Sequence, residues 1–385
     1  MFVSKQLLVS YMPNVVENFK KEGNDMKSYN GLYDKMISDN NIQLALFNAG
    51  RNKYKNNRRH KKLRKLRANP DRYIDLTREM AVNFAPSQHK PIEINDGISA
   101  KKRHIIVPTV KEIVVQHMIA NVLQGIVTPS MYEHSYASIP GKGLHKAVKV
   151  VKKWIQKDHK NTKYCLKLDI KKFFDSVDQD VLLAKLRKII RDNEFYRYIE
   201  MTVRTVDKGI PLGFVTSQWF ANFLLTELDH KIKEEWGVKY YIRFMDDMVL
   251  FGSNKRRLHE VRKLISEYLE NELHLQLKEN WQLFYMDNIR GKKQGHFLDF
   301  LGFKFYRNHI GLRSRLALKI QRKAKHIYKK RQANIRDARQ MVTYAGLVKC
   351  ADCRDWFRAH VLRYVSIKRL RRKISKHDKL KGVIA

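Results

Sequence analysis

Two adjacent acidic residues interrupt a strongly apolar segment in the middle of the chain, and few folds can accommodate them. Asp246 and Asp247 lie between two runs of β-forming residues, 240–244 and 248–251. This arrangement predicts a β-hairpin with both carboxylates at its tip. An isolated Asp-Asp turn is usually structural, since Asp side chains hydrogen-bond the turn backbone. Here, however, apolar strands would carry both acids to one end of a sheet, where cations must balance the like charges.

A further acid near the end of an apolar segment indicates the same chemistry. Residues 164–170 (YCLKLDI) predict a strand, and Asp169 lies near its end. Carboxylates at such positions hold the two Mg²⁺ ions, ~3.5–4 Å apart, of enzymes that transfer phosphoryl or nucleotidyl groups. One ion activates an attacking hydroxyl, and the other stabilises the leaving pyrophosphate.

The rest of the chain predicts a mixture of helices and strands. Strands are predicted at 101–108 and 298–306, and loops at 136–145 and 209–218. Helices are predicted from apolar residues that recur every three to four positions, at 111–124, 146–156, 179–190, 219–236 and 258–273.

The charge of the chain indicates the kind of partner. The 385 residues include 78 Lys and Arg against 38 Asp and Glu, a net charge of +40, and 43% of the residues are hydrophobic. The hydrophobic share excludes a wholly disordered basic chain, so the charge belongs to a folded protein with a polyanionic partner. Nucleic acid is the first candidate and an anionic membrane surface the second, because no apolar anchor accompanies the charge.

The cations are concentrated in two segments. Residues 51–67 hold ten Lys and Arg and no acid, whereas residues 312–385 hold 23 with four acids. The second segment contains an apolar helical stripe formed by Leu312, Leu316, Ile320, Ala324 and Ile327. A further helix is predicted around 356–363, before a basic run at 368–373. A solvated helix face and a surface that grips phosphates explain this pattern about equally well.

The expected location follows from hydropathy and cysteine content. No apolar run approaches the ~18–20 residues that span a bilayer, and the first residues lack a signal-peptide pattern. Three cysteines cannot build a disulfide scaffold, which indicates a reducing compartment and hence the cytoplasm. Cys350 and Cys353 have the spacing of a zinc or redox pair, but His360 is the one further ligand nearby and zinc needs four.

Six segments resemble the characteristic motifs of reverse transcriptases, in the family's order. Motifs A, B and C are similar to KYCLKLDIKKFFDSVD, GIPLGFVTSQWFANFLLTELDH and YIRFMDDMVLF. The fingers strand, the segment that follows it and the primer grip are similar to KKRHIIVP, SYASIPGKGLHKA and FLDFLGFKF. The resemblance extends from about residue 70 to 310. It implies an α+β right-hand polymerase fold, with fingers, a palm of antiparallel sheet and helices, and a helical thumb.

The resemblance also implies a division of the chain and a subgroup. We expect a basic helical N-terminal extension at 1–70, fingers and palm at 71–311, and a basic helical thumb at 312–385. Leu212 before Gly213, Ser217 with Gln218, and the segment LKENWQLF resemble the enzymes of diversity-generating retroelements. Those prokaryotic or phage enzymes copy a template RNA into cDNA, with many errors opposite adenine, during mutagenic retrohoming.

Roles for the acidic residues follow from the resemblance. Asp169 and Asp246 would bind two Mg²⁺ ions, for which Mn²⁺ is a possible substitute, with help from the backbone carbonyl of Ile170. Asp247 would be the supporting carboxylate. Many relatives carry a lysine near the end of motif D that protonates pyrophosphate. Lys278 is close to that position in a different register, so the sequence leaves the general acid unassigned.

The resemblance likewise implies a nucleotide site. Lys101 and Arg103 match fingers residues that hold the incoming triphosphate, and Phe174 matches the position that blocks a ribose 2′-hydroxyl. In motif B the matching positions are Leu212, Gly213 and Gln218. Relatives often have Gln where Leu212 stands, and Leu can neither donate nor accept a hydrogen bond. We therefore expect low fidelity, although a simple packing role for Leu212 is also open.

The basic segments predict contacts to nucleic acid. The residues expected to bind it are Arg58, Arg59, Lys61, Lys62, Arg64, Lys65, Arg322, Lys323, Lys329 and Lys330. The expected partners are the template RNA and its RNA–cDNA hybrid, dNTPs, and a small, basic, oligomeric accessory protein, with no membrane.

Two alternatives stay open. Another prokaryotic reverse transcriptase, of the antiphage-defence, retron or group II intron kind, would share most of these motifs. A non-catalytic RNA-binding protein on the same fold is a third hypothesis, against which the intact acids at 169, 246 and 247 argue.

Overall fold

The fold mixes helices with antiparallel sheets, which confirms the predicted α+β class. It is known from a computed structural model, which describes residues 28–51, 53, 57–87, 89, 91–95, 102–286 and 295–380. The α-helices of these residues are α1 (Leu32–Ile37), α2 (Asp39–Gly50), α3 (Arg58–Ala68), α4 (Ile74–Val82), α5 (Val110–Val127), α6 (Leu144–Lys157), α7 (Phe173–Ser176), α8 (Gln179–Ile189), α9 (Asn193–Val203), α10 (Val215–Leu224), α11 (Thr226–His230), α12 (Lys255–Leu273), α13 (Ser314–Lys329), α14 (Ile335–Val348), α15 (Arg354–Phe357) and α16 (Ile367–Leu380). Short 3₁₀ turns cover Asp71–Tyr73 and Thr128–Ser130, and π-helical turns cover Lys231–Glu235 and Arg358–Leu362.

The strands form three antiparallel sheets. They are β1 (Ile92–Asn95), β2 (Lys102–Ile105), β3 (Tyr164–Asp169), β4 (Tyr240–Phe244), β5 (Asp247–Gly252), β6 (Gln282–Tyr285), β7 (Leu298–Phe300), β8 (Phe303–Phe305) and β9 (Ile310–Leu312). β1 pairs with β2, and β7, β8 and β9 form a small sheet in that order. The central sheet has four strands in the order β4-β5-β3-β6.

The central sheet is buried on both faces. Successive side chains of a strand point to opposite faces, so an apolar run serves two cores at once. On β5, Met248 and Leu250 belong to one apolar cluster, while Val249 and Phe251 belong to another. The sheet therefore holds the strand ends that carry the acids between two packed layers.

Helices α1, α2, α5 and α8–α12 contribute to the first cluster. α5 begins in a capping box, in which the Thr109 hydroxyl accepts from the Glu112 N–H and the Glu112 carboxylate accepts from the Thr109 N–H. Glu112 also accepts from the Ser87 N–H and contacts the His89 ring nitrogen at 2.6 Å, which attaches the chain before β1 to this helix.

The second cluster joins the sheet to the C-terminal helices. The predicted stripe on α13 is confirmed, since Leu316, Ile320, Ala324 and Ile327 are all buried. Leu312, the first residue of that predicted stripe, lies instead at the end of β9. α6 and the sheet β7–β9 complete this layer.

Three sequence predictions need correction. The predicted strand at 298–306 is a hairpin, because Leu301 and Gly302 both adopt positive φ and turn the chain between β7 and β8. The helix predicted at 219–236 begins earlier, at Val215, and is interrupted at Leu225 before α11. The helix predicted around 356–363 is a short α-helical turn followed by a π-helical turn.

The helices α9 and α14 were not predicted, and both begin at a side-chain cap, on Asp192 and Asn334 respectively. Within the residues described above, no helix combines the length and apolarity that crossing a bilayer requires.

Candidate active site

The three acids lie at the same end of the central sheet. Asp169 ends β3 and is the register partner of Asp247, the first residue of β5. The Ile170 N–H donates to the Asp246 carbonyl at 3.3 Å, which closes this end of the sheet. The predicted hairpin is therefore confirmed, and its turn brings Asp246 and Asp247 beside Asp169.

Two lysines contact this cluster. The Lys278 ammonium is 2.5 Å from Asp169 Oδ1, at ion-pair distance but without hydrogen-bond geometry. Its backbone N–H also donates to the Asp169 carbonyl at 2.8 Å, so the segment after α12 is attached directly to the site. The Lys167 ammonium is 4.0 Å from Asp247 Oδ2 and donates to the Asp299 carbonyl at 2.7 Å.

The electrostatics of the cluster favour binding of a cation. Burial raises the pKa of the Asp247 carboxyl to about 7; the Lys167 ammonium opposes this rise, and the negative charges of Asp169 and Asp246 add to it. Asp247 Oδ1 is buried without a hydrogen-bond donor among the described residues. An additional positive charge at this place would therefore stabilise the ionised form.

The donor set suits Mg²⁺, which prefers carboxylate oxygens. In the described part of the chain, no three His, Cys, Asp or Glu side chains are arranged to hold an ion in this conformation. In this conformation the Lys278 ammonium contacts the Asp169 carboxylate, which an ion would otherwise use. Asp169, Asp246 and Asp247 thus fit a metal by the chemistry of their oxygens and by their shared sheet end, and Asp169 would have to turn from Lys278 towards the ion.

A buried arginine fixes the turn that carries the acids. Arg243 and Asp229 are both 0% exposed, and the guanidinium donates from Nε and Nη2 to the carboxylate at 2.5–3.0 Å. Nη1 donates to the side-chain oxygen of Asn222 and to the carbonyl of Met245, both at 3.1 Å. Met245 has a left-handed φ of 61° and precedes Asp246 directly. Arg243 therefore stabilises an otherwise unfavourable backbone conformation next to a catalytic candidate.

The predicted nucleotide residues of motif B lie on one continuous loop and helix start. The Leu212 carbonyl accepts from the Ile106 N–H at 2.8 Å, which joins this loop to the segment after β2. Gly213 has a φ of 117°, and a Cβ there would lie 2.2 Å from the Ile106 carbonyl oxygen. Gln218, on α10, accepts at Oε1 from the Ser138 hydroxyl at 3.0 Å.

Two of the remaining nucleotide candidates lie on α7 and on β2. Phe174, on α7, is half-buried, and its ring centroid lies 5.7 Å from that of buried Phe173. Arg103 is paired with Ile94 in the register of β1 and β2, which confirms the predicted fingers strand as a strand. Lys101 lies outside the described residues.

The basic residues predicted on α3 divide into two groups. Arg58, Lys61, Lys62 and Lys65 are exposed and spaced to share one helix face. Arg59 instead donates to the Pro108 carbonyl, and Arg64 donates to the Lys53 carbonyl at 2.9 Å. The exposed face thus carries four cations, while the other two attach α3 to the rest of the fold.

The basic residues predicted on and after α13 also differ among themselves. Arg322, Lys329 and Lys330 are exposed. The Lys323 ammonium contacts the buried carboxylate of Asp337 at 2.5 Å. Lys323 therefore stabilises the packing of α13 on α14 and is less available for a phosphate.

Sequence reasoning overlooked Lys167 and Arg243 and left Lys278 without a role. A signal existed for Arg243, because an arginine inside the apolar run YYIRF is unusual unless it is paired. No comparable signal marks Lys167, whose contacts come from segments far away in the sequence.

A family model matches more than half of the chain, and a curated relative carries the name of the same family. The family model described as reverse transcriptase (RNA-dependent DNA polymerase) matches residues 90–305, more than half of the chain. A retron Ec73 reverse transcriptase of Escherichia coli is 30% identical over 106 residues, which are 24% of this chain and 34% of that protein. The group II intron-encoded protein LtrA of Lactococcus lactis is 25% identical over 156 residues, 38% of this chain and 25% of that protein.

The similarity to these proteins is partial. The chain spans 16% and 21% of the length of two further curated relatives, from Marchantia polymorpha and Schizosaccharomyces pombe. Among solved structures, apo telomerase from Candida tropicalis is 14% identical with a TM-score of 0.47, over 63% of this chain and 53% of that one.

Proposed function

This chain belongs to the reverse transcriptase (RNA-dependent DNA polymerase) family, and on that premise we propose that it copies a template RNA into cDNA by two-metal nucleotidyl transfer. The observation that carries the proposal is the sheet register that pairs Asp169 with Asp247 and brings Asp246 beside them. A non-catalytic RNA-binding protein would have no need for three carboxylates concentrated at one sheet end.

The acidic residues would hold the metal. Asp169, Asp246 and Asp247, with the carbonyl of Ile170, would bind two Mg²⁺ ions, or Mn²⁺ in their place. When bound, these ions lower the pKa of the attacking hydroxyl and stabilise the charge of the leaving group. Asp247 Oδ1, which is buried and has no donor within the described part of the chain, supports this assignment.

Side chains around the acids would select and orient the nucleotide. The Phe174 ring would exclude a ribose 2′-hydroxyl, and Leu212, Gly213 and Gln218 would contact the base pair and sugar. Arg103 and Lys101 would bind the triphosphate, since a guanidinium suits bidentate contacts to phosphate. The Lys278 ammonium, 2.5 Å from Asp169 Oδ1, would donate the proton to pyrophosphate.

The finer proposal is a diversity-generating enzyme that makes errors at template adenines. Leu212 supports it, because selectivity that depends on hydrogen bonds is lost where the bonding group is absent. The matches to a retron reverse transcriptase and a group II intron protein favour the second candidate, another prokaryotic reverse transcriptase.

Partners follow from the charge. The exposed face of α3 (Arg58, Lys61, Lys62 and Lys65) and the end of α13 would bind the template RNA and the RNA–cDNA hybrid. A basic accessory protein would bind through this RNA, because two cationic surfaces repel each other. The proposed location is the cytoplasm of a prokaryotic host, and three free cysteines suit a reducing compartment.

Primer extension on an RNA template with dNTPs tests the activity. The wild type should extend the primer, Asp246→Asn should not, and Asp355→Asn, at an exposed position in α15, should match the wild type. Extension by Asp246→Asn would overturn the catalytic assignment, and no extension by the wild type would favour the binding-only hypothesis.

Sequencing of the cDNA tests the subtype. Errors concentrated opposite template adenine, and reduced in Leu212→Gln, would support the diversity-generating proposal. A uniform error spectrum in both proteins would favour the second candidate.

A further inference from the structure

A buried glutamine holds the loop that precedes the predicted nucleotide site. Gln179 begins α8, and its amide nitrogen faces three backbone carbonyls, of Val203 at 3.3 Å, Val206 at 2.8 Å and Gly209 at 2.9 Å. Its Oε1 accepts from Arg204 Nη1 at 3.1 Å. If the amide were flipped, its oxygen would face the three carbonyl oxygens and its nitrogen would face the arginine donor. The three acceptors and the Arg204 donor therefore fix the orientation of the amide.

The loop held by Gln179 packs directly against the backbone of Phe174. Gly209 has a φ of 75°, and a Cβ there would lie 2.3 Å from the Phe174 carbonyl oxygen. The next N–H, of Ile210, donates to that same oxygen at 2.8 Å. The position of the Phe174 backbone therefore depends on the path of residues 203–210.

The same loop continues into the other nucleotide candidates. The Pro211 carbonyl accepts from the Ser217 hydroxyl at 2.8 Å, and the Leu212 carbonyl accepts from the Ile106 N–H at 2.8 Å. Gln179 thus restrains the beginning of a backbone segment whose end is restrained by α10 and by the segment after β2. Loosening its beginning would shift Phe174 and Leu212 together.

We propose that Gln179 is a positioning residue for sugar selectivity. Among the described residues, its side chain bonds Val203, Arg204, Val206 and Gly209 and none of the nucleotide candidates. It fixes the loop whose close approach keeps the Phe174 ring where a ribose 2′-hydroxyl would be. The inference rests on the proposed polymerase function. Loss of one or two restraining hydrogen bonds should lower the discrimination between dNTP and rNTP roughly tenfold.

The test compares kcat/KM for a dNTP and the matching rNTP on a primed RNA template. Gln179→Leu keeps a side chain of similar size but removes the amide donors and the acceptor for Arg204, and should lower the dNTP preference while leaving kcat for the dNTP within a few-fold. Gln179→Asn keeps an amide that is one methylene too short, and decides the question if Gln179→Leu does not fold. A melting temperature is recorded for every variant.

The matched control is Asp178→Ala. Asp178 caps the same helix by accepting from the Asp180 and Val181 N–H groups, and its carboxylate also contacts the His274 ring nitrogen at 2.7 Å. Its loss weakens α8 and removes the His274 contact, and it spares the glutamine contacts. It should lower the melting temperature without changing sugar selectivity. Equal loss of selectivity in Asp178→Ala would overturn the inference, because general loosening of α8 would then be sufficient.

A double variant links the effect to the ring. Phe174→Ala should reduce discrimination more than Gln179→Leu does, and the combination should resemble Phe174→Ala alone. An active wild type with unchanged discrimination in both Gln179 variants would overturn this inference only. A wild type without polymerase activity would overturn the proposed function and this inference with it.

Discussion

Replacement of Arg243 by methionine should separate the stability of the fold from the geometry of the active site. The change keeps a long, unbranched side chain but removes a guanidinium that donates to Asp229, Asn222 and the Met245 carbonyl. The Asp229 carboxylate is fully buried and would keep the Tyr241 hydroxyl, at 2.7 Å, as a donor.

The size of the effect follows from burial. Removing one member of a buried, hydrogen-bonded ion pair costs about 3–5 kcal/mol, because the remaining charge stays in the protein interior. The ratio of folded to unfolded protein should therefore fall by about 10²–10⁴-fold. Combining Arg243→Met with Asp229→Asn removes the unpaired buried charge of the Asp229 carboxylate. The double variant should recover part of the lost free energy of unfolding, with a coupling free energy of about 1–3 kcal/mol.

Activity should not recover with stability. In the double variant the Met245 carbonyl still lacks its donor, so the left-handed turn before Asp246 is less well held. Urea denaturation gives the free energy of unfolding, and primer extension at matched folded concentration gives kcat.

The matched control is Arg313→Met, which removes an ion pair with Asp299. Both side chains of that pair are 37–38% exposed, so the pair should contribute at most ~1 kcal/mol to the free energy of unfolding. The reasoning would be refuted if Arg243→Met lowered the free energy of unfolding by less than ~1 kcal/mol. It would also be refuted if the loss in the double variant equalled the sum of the losses in the two single variants.

Three other perturbations are expected to have defined results. Gly213→Ala should raise KM for dNTP, because Gly213 has a φ of 117° and a Cβ there would collide with a main-chain oxygen. The control is Gly237→Ala, where φ is 64° and a Cβ would enter open space. Equal KM values for the two variants would contradict the argument. Burial lowers the pKa of His117 to about 4 from 6.5, so the unfolded state binds the proton first and stability should rise with pH between these values. Urea denaturation at several pH values in that range gives the free energy of unfolding. This free energy should rise less steeply with pH in His117→Gln than in the wild type, and an unchanged pH dependence would mean that His117 does not cause the rise. Lys61→Glu with Lys62→Glu should weaken RNA binding and reduce the salt slope by about 0.7–0.9 per lost contact; an unchanged slope would mean that RNA binds elsewhere.

Local patterns predicted the elements that depend on local interactions. The hairpin around Asp246 was predictable because its strands are runs of β-forming residues, apolar apart from Arg243, and its turn is acidic. The stripe on α13 was predictable because a helix buries residues at a fixed spacing. The β7–β8 hairpin was read as one strand because Leu301 gives no turn signal, although its φ is 54°.

The environment of the acids could not be predicted, because it depends on long-range contacts. Lys278 reaches Asp169 from more than a hundred residues away, through the alignment of a loop after α12 with the end of β3. Likewise, the sequence predicted six equivalent cations on α3, and tertiary packing directs Arg59 and Arg64 to backbone carbonyls.

The burial of the central sheet on both faces limits where the chain can be truncated and which C-terminal segments can be grafted onto it. The match to the family ends at residue 305, yet the face that carries Val249 and Phe251 shares its apolar cluster with Leu316 and Ile320 of α13. A fragment cut at 305 would keep α6, β7 and β8 on that face but lose the part of its apolar cover that β9 and α13 supply, and a grafted C-terminal segment would have to reproduce the same apolar stripe. The unit that folds is thus longer than the unit that sequence families recognise, and expression fragments should extend through α14.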